Sequence, residues 1–161
     1  MAGRITKSDE QLRPDPQYND RVLSKFINCV MHDGKKSVAQ RVVYDAIEII
    51  DGRTKKEPEA PETGLEVFRM AIDNVTPFVE VRSTRIGGAN YQVPKQVTPR
   101  RQQSLAFRWI IQAARGEKGR PMAQKLADEL WAAAKREGKA MQTREQTHRM
   151  AEANKAFAHY S

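Results

Sequence analysis

Apolar residues recur at helical spacing through most of the chain. Leu23, Phe26, Ile27 and Val30 fall on one face after Asp20, a residue type suited to capping a helix N-terminus. Gly34 is predicted to end this helix, and a second runs from Lys36 to Ile50 with Val38, Val42, Ala46, Ile47 and Ile50 inward. The polar stretch GRTKKEPEAPETG (52–64) reads as an exposed loop. Thr63 and Glu66 have capping-box spacing and open a third helix with Leu65, Phe68 and Ile72 inward.

At Pro77 the period changes from helical to two. Val79 and Val81 alternate with Glu80 and Arg82, Gly87-Gly88 supplies a turn, and ANYQVPKQV returns. Together these predict a β-hairpin at about 78–97, with Pro94 making its second strand an edge. Thr98-Pro99 starts a fourth helix that runs to about Arg115 and buries Leu105, Ala106, Trp109, Ile110 and Ala113. Pro121 opens a fifth, with Met122, Leu126, Leu130 and Ala133 inward and Gly138 just past its end. Thr143 and Gln146 repeat the capping-box spacing and predict a last helix with Met150, Asn154 and Phe157 on one side. The expected fold is mainly α, a bundle of about six helices with a protruding two-stranded β-hairpin. Residues 1–19, aperiodic and containing Pro14 and Pro16, read as an extended or disordered N-terminal tail; 20–161 reads as a single helical domain.

Composition narrows the classes. No apolar run approaches the ~18 residues of a membrane span, so no membrane association is expected. No apolar stretch follows the first basic residues, which argues against a secretory signal. Cys29 is the single cysteine, so no internal disulfide is possible and a reducing, cytoplasmic setting is expected. Cys29 falls on an apolar helix face and is expected in the core.

The net charge of +8 is unevenly spread. Residues 42–75 hold four basic side chains against eight acidic, whereas residues 76–120 hold nine against two. Uniform solubilising charge would not leave one neighbour acidic and the next so basic, so the second segment points to a polyanion. Within it, Arg101, Arg108 and Arg115 are seven residues apart and drift only about 20° per step around a helix. Arg100 precedes this stripe, and Lys118 and Arg120 extend it. Guanidinium forks match phosphate oxygens, and residues 99–116 contain no acid to neutralise them. On the hairpin, Arg82, Arg85, Tyr91 and Gln92 form a basic ribbon with an aromatic, and Gly87-Gly88 lets its backbone approach another molecule. Arg144, His148, Arg149 and Lys155 cluster on the last helix, and Lys35 and Lys36 on the first interhelical turn.

No catalytic constellation accompanies these residues. His32, His148 and His159 lack metal-pair spacing, and a single cysteine makes no zinc site. GKKS (34–37) matches only the end of a phosphate-binding loop, because Cys29 stands where that loop needs glycine. No G-x-S-x-G occurs. No catalytic residue, cofactor, metal or small-molecule substrate is expected. The rivals are a winged-helix module that would prefer duplex DNA, an RNA-modifying enzyme lacking its pocket, and an adaptor lacking an apolar patch.

Three stretches carry a resemblance: LSKFINCVMHDGKKSVAQRVVYDA (23–46), VEVRSTRIGGANYQVPKQVTPRRQQSLAFRWIIQAAR (79–115) and REQTHRMAEANKAFAHY (144–160). In order and content they closely resemble the small-subunit ribosomal protein seven family, bacterial and organellar type. The resemblance implies a helical RNA-binding domain with a projecting hairpin. Its implied function is primary binding to the 3′ major domain of small-subunit rRNA, starting assembly of the subunit head. It further implies a place near the exits of mRNA and tRNA, with the hairpin (Arg82, Arg85, Gly87, Gly88, Tyr91) directed there. Neighbouring ribosomal proteins of head and platform are the implied protein partners. The rRNA roles carry over onto Arg82, Arg85, Arg100, Arg101, Arg108, Arg115, Lys35 and Lys36, with Arg4, Lys118, Arg120, Arg144, His148 and Arg149 as further candidates. Family members often begin with a tight run of arginines; here Arg4, Lys7 and Arg13 are spread over a tail containing Asp9 and Glu10. Residues 55–62 (KKEPEAPE) are long and acidic for the family and are expected to form a surface insertion facing away from RNA.

The implied mechanism is scaffolding: arginines neutralise phosphates where RNA helices converge, and recognition is mainly of shape. About six to ten phosphate contacts would make affinity fall steeply with salt. On this reading Arg101→Ala and Arg108→Ala both weaken binding without lowering the melting temperature.

Overall fold

The computed structural model describes residues 8–161; the candidate contact Arg4 lies outside them. Among the described residues the fold is mainly helical, with one antiparallel two-stranded hairpin. The chain forms two compact units that meet in sequence between Val43 and Tyr44.

In the first unit, a single helical turn α1 (Ser8–Gln11) replaces the extended or disordered path read for this stretch. Its Asp9 carboxylate receives the Lys25 ammonium at 2.6 Å, and its Asp9 carbonyl accepts from Arg21. Asp15 is buried and organises the next turn: its carboxylate accepts from the backbone N–H groups of Gln17, Tyr18 and Asp20. That turn delivers Asp20 to cap α2 (Arg21–Val30), where its side chain accepts from Leu23 N–H. Leu23, Phe26, Ile27 and Val30 are buried as expected. Cys29 is exposed instead, because it lies off the stripe that those four residues define.

Helix α3 (Lys36–Thr54) is longer than expected and passes through Gly52. Its buried stripe is Ala39, Val43, Ala46, Ile47 and Ile50. Val38 and Val42, read as inward, sit one position off this stripe, and Val38 is 42% exposed. The small Ala39 takes the buried position that a larger neighbour suggested for itself.

In the second unit, α4 (Gly64–Val75) begins at Thr63, whose hydroxyl accepts from Glu66 N–H. Glu66 reaches back to Glu62 N–H, one residue beyond the usual reciprocal partner. Asp51 accepts from Gly64 N–H, and the start of α4 lies so close to α3 that a Cβ at Gly64 would sit 2.6 Å from the Ile47 carbonyl oxygen. Helices α4, α5 (Pro99–Gly116), α6 (Met122–Ala134) and α7 (Gly138–Ala153) pack against one another. Phe68, Phe107, Ile110, Leu126 and Leu130 are among the fully buried side chains. On α5 the buried arc is wider than expected: Phe107, Ile111 and Ala114 are inside, while Trp109 is only half-buried.

The hairpin strands β1 (Val79–Ile86) and β2 (Ala89–Gln96) both lean on α7, and β2 also meets the closing 3₁₀ turn, Lys155–Tyr160. The two-residue loop Gly87-Gly88 has positive φ at both positions, which the tight hairpin turn requires.

The last helix starts at Gly138 and not at Thr143. Thr143 lies inside α7 and returns its hydroxyl to the Lys139 carbonyl. The N-terminal cap comes from another helix: buried Glu129 of α6 accepts from Ala140 N–H at 2.8 Å. Burial pushes the Glu129 carboxyl up, and the Ala140 N–H opposes that shift. Gly64→Ala is expected to destabilise the protein by about 1–3 kcal/mol, because the methyl group meets backbone that must shift. Urea denaturation monitored by circular dichroism checks it: the midpoint should fall with an unchanged slope.

Candidate nucleic-acid interface

The basic residues singled out in the sequence divide into two sets, one serving the protein's own structure and one facing outward. The division begins at Glu80. On the first strand Glu80 alternates with valines, yet its side chain is only 10% exposed while Val79 and Val81 are half-buried. The reason is Arg101, in the first turn of α5, which donates from Nε to the Glu80 carboxylate at 3.1 Å. Arg82 lies 3.5 Å from the other carboxylate oxygen. The first member of the arginine stripe thus ties α5 to the root of the hairpin.

Two more candidates hold the entry to the hairpin. Arg144 is mostly buried, donates to the Thr76 carbonyl at 3.2 Å and lies over the Phe78 ring. His148 accepts from Phe78 N–H through Nε2 at 3.3 Å and stacks on the same ring. Accepting there requires the neutral imidazole. Desolvation first, then the Arg144 charge, lowers the His148 pKa from its ordinary 6.5.

Register separates the remaining hairpin candidates. Arg82 pairs opposite Val93, Thr84 opposite Tyr91, and Arg85 opposite Asn90. Alternation puts Arg82 and Tyr91 on one face, and Arg85, Asn90 and Gln92 on the other. Tyr91 is not a free stacking platform, since its ring lies 4.7 Å from that of Phe157. Arg85 is exposed and meets no partner among the described residues.

The loop after α5 is less basic in effect than in composition. Arg120 pairs with Glu117 and Asp128; Asp128 also holds Arg53, and Glu117 also holds Lys139. Hydrogen bonds from Lys139 and Arg120 hold the Glu117 carboxyl below the usual carboxylate range. Lys118 stays exposed and without a partner among the described residues. The same is true of Arg108, in the middle of the stripe, and of Arg149. Arg100 and Arg115 are exposed but engaged in contacts of their own. In the first unit, Lys35 and Lys36 are exposed on the turn that contains Asp33 and Gly34 at positive φ.

Two surface residues escaped the reading by sequence. Lys95, opposite Glu80 on the same face as buried Val93, is nonetheless exposed and meets no partner among the described residues, a placement that alternation alone does not predict. Phe78 is 70% exposed, and no pattern in the sequence marks it. Among the described residues no cluster of histidine, cysteine, aspartate or glutamate could hold a metal ion, and no helix is long and apolar enough to cross a membrane.

An acid-free arginine helix, a glycine-turned basic hairpin and the motif stretches around them can be compared with known proteins. The family model described as ribosomal protein S7p/S5e matches residues 2–155. The chain belongs to the ribosomal protein S7p/S5e family. Small ribosomal subunit protein uS7 of Rhodopirellula baltica is 60% identical over 159 residues, 99% of each chain. The proteins of the same name from Methylobacterium radiotolerans and Thermotoga maritima are 51% identical over 160 residues (99% of each chain) and 55% identical over 150 residues (93% of each chain). As an S7p/S5e protein the chain is a structural component of the small subunit of the cytoplasmic ribosome.

Two outcomes follow for this S7p/S5e protein. Arg101→Ala strips the nearly buried Glu80 of its main hydrogen-bond donor and is expected to cost about 1–2 kcal/mol, read as a fall of several degrees in melting temperature. Arg108→Ala should leave that temperature unchanged. The Glu80–Arg101 contact therefore changes the expectation for Arg101→Ala, while that for Arg108→Ala stands. The second outcome concerns pH. A histidine whose folded pKa is lowered contributes stability in full above its unfolded value of 6.5. As pH falls below that value, the unfolded chain binds the proton first and stability is lost. Melts between about pH 8 and pH 5.5 should show a steeper acid loss for the native protein than for His148→Gln, which does not titrate.

Proposed function

We propose that this chain is a primary rRNA-binding protein that holds together a junction of the 3′ major domain of small-subunit rRNA and starts assembly of the head. The observation that carries the reading is that Arg85, Arg108, Lys118 and Arg149 are exposed and without partners among the described residues of a unit whose helix α5 contains no acid. Charges left unneutralised at this density are solvated at no gain to the fold, and they suit a polyanion. Lys35 and Lys36 add two such charges in the other unit. Arg101, Arg82, Arg120, Arg144 and His148 serve mainly to set the frame that presents the outward set. The wide, shallow groove of A-form RNA offers phosphates and 2′-hydroxyls, so recognition is chiefly of shape.

In the assembled particle the hairpin lies near the mRNA and tRNA exits, with its Arg85–Asn90–Gln92 face outward. Proteins of the head and platform flank it. The runner-up, a duplex-DNA module built from a helix and a hairpin, gains support from the same charges but not from the family.

Binding of a 3′ major domain transcript at several salt concentrations, with duplex DNA as competitor, tests the proposal. Tight binding that resists DNA and weakens steeply with salt is expected. In Arg85→Ala and Arg108→Ala the logarithmic salt slope should each flatten by about one unit or slightly less. Equal affinity for RNA and duplex DNA would return the DNA-binding reading to first place.

A further inference from the structure

The acidic loop after α3 does more than face solvent. With α4 and α6 it encloses a groove of about 750 Å³. The floor is apolar: Val67 and Met70 from α4, Trp131 and Ala134 from α6. Met70 is 42% exposed there. The rim carries Glu57, Glu59 and Lys135, the last paired with Glu57. All of these residues belong to the second unit.

The rim's chemistry excludes the ligand of the basic surface. Residues 42–75 hold twice as many acids as bases, and Glu59 and Glu62 meet no cation among the described residues. With Glu57 paired to Lys135, the unpaired rim charge is the Glu59 carboxylate, which disfavours phosphate. A cation is not disfavoured, and the chain itself shows how one is received: the Lys135 ammonium lies 4.8 Å from the Trp131 ring centroid and 2.8 Å from the Glu57 carboxylate. An aromatic face plus a carboxylate is a receptor for a basic side chain with an apolar stem. Glu59 offers a second carboxylate that the chain leaves unused. Tryptophan and methionine suit a docking floor, the first as a rigid anchor and the second as an adaptable one.

We infer that this groove docks a basic polypeptide segment, with an apolar anchor side chain between its cations, from another protein of the small subunit. The inference rests on the chain's place in that particle. It assigns the protein two surfaces of opposite sign, one for RNA and one for a cationic protein segment.

A photoreactive benzoylphenylalanine placed at Met70 tests this in assembled small subunits. Met70 is exposed enough for the replacement to be tolerated, and thermal melting confirms folding. Irradiation should cross-link the chain to a lysine- or arginine-rich segment of another subunit protein. Adding Glu59→Lys should reduce that yield about fivefold or more, roughly 1 kcal/mol, with incorporation unchanged. Cross-links to RNA, cross-links to an acidic segment, absence of any cross-link, or a yield indifferent to Glu59→Lys would each overturn the inference. Exclusion of the folded chain from small subunits would instead overturn the functional reading on which it rests.

Discussion

A two-stranded ribbon is marginal in water by itself, so the placement of this hairpin depends on what grips its root. The central grip is the Glu80 carboxylate, nearly removed from solvent and bonded to Arg101 of α5. A carboxylate taken out of water is costly unless its oxygens find donors, and here Arg101 and Arg82 approach one oxygen each. The interaction is therefore valuable less for its net energy than for its specificity. Any sliding of β1 by one residue would turn Glu80 away from Arg101 and leave the charge unpaired. Arg144 on the Thr76 carbonyl and His148 on Phe78 N–H fix the chain just before the strand begins.

This arrangement explains how one excess of positive charge performs two tasks. Arginines close to acids or carbonyls fix the relation of hairpin to helices, and those without partners are displayed by the frame so fixed. The two tasks differ in salt response. A nearly buried pair such as Glu80–Arg101 is weakly screened, whereas attraction between exposed arginines and a polyanion falls steeply as salt rises. If the surface binds RNA as proposed, salt should strip it while the surface keeps its shape.

The helices and hairpin were legible because their signals are local. Asp20 and Thr63 cap where their side chains predict, and Gly87-Gly88 turns where two positive φ angles are needed. The failures come from contacts that neither periodicity nor capping spacing shows. Glu129 caps α7 from another helix, so Thr143 could imitate a helix start that does not exist. Asp15 folds a segment whose prolines suggest extension. Val38 yields to Ala39 because the inward side of α3 follows the stripe as a whole and not the larger residue. The candidate site was legible as a composition, nine basic residues against two acidic, but not as a selection. Which arginines are occupied depends on Glu80, Glu117 and Asp128; Glu117 is local to Arg120, but only the fold brings Glu80 to Arg101 and Asp128 to Arg53.

The same logic bears on the acidic segment. A protein of net charge +8 that binds RNA, as proposed, gains nothing from concentrating carboxylates at random. On the proposed reading, glutamates around the apolar floor would lower the local potential there and disfavour phosphate. Segregated charge would, on the same reading, draw the basic residues toward RNA while the acidic loop would be repelled from it. Specificity would then come partly from repulsion at Glu59, the rim carboxylate that Lys135 does not pair. If RNA binds the arginine helix as proposed, the acidic loop complements it by disfavouring the opposite approach.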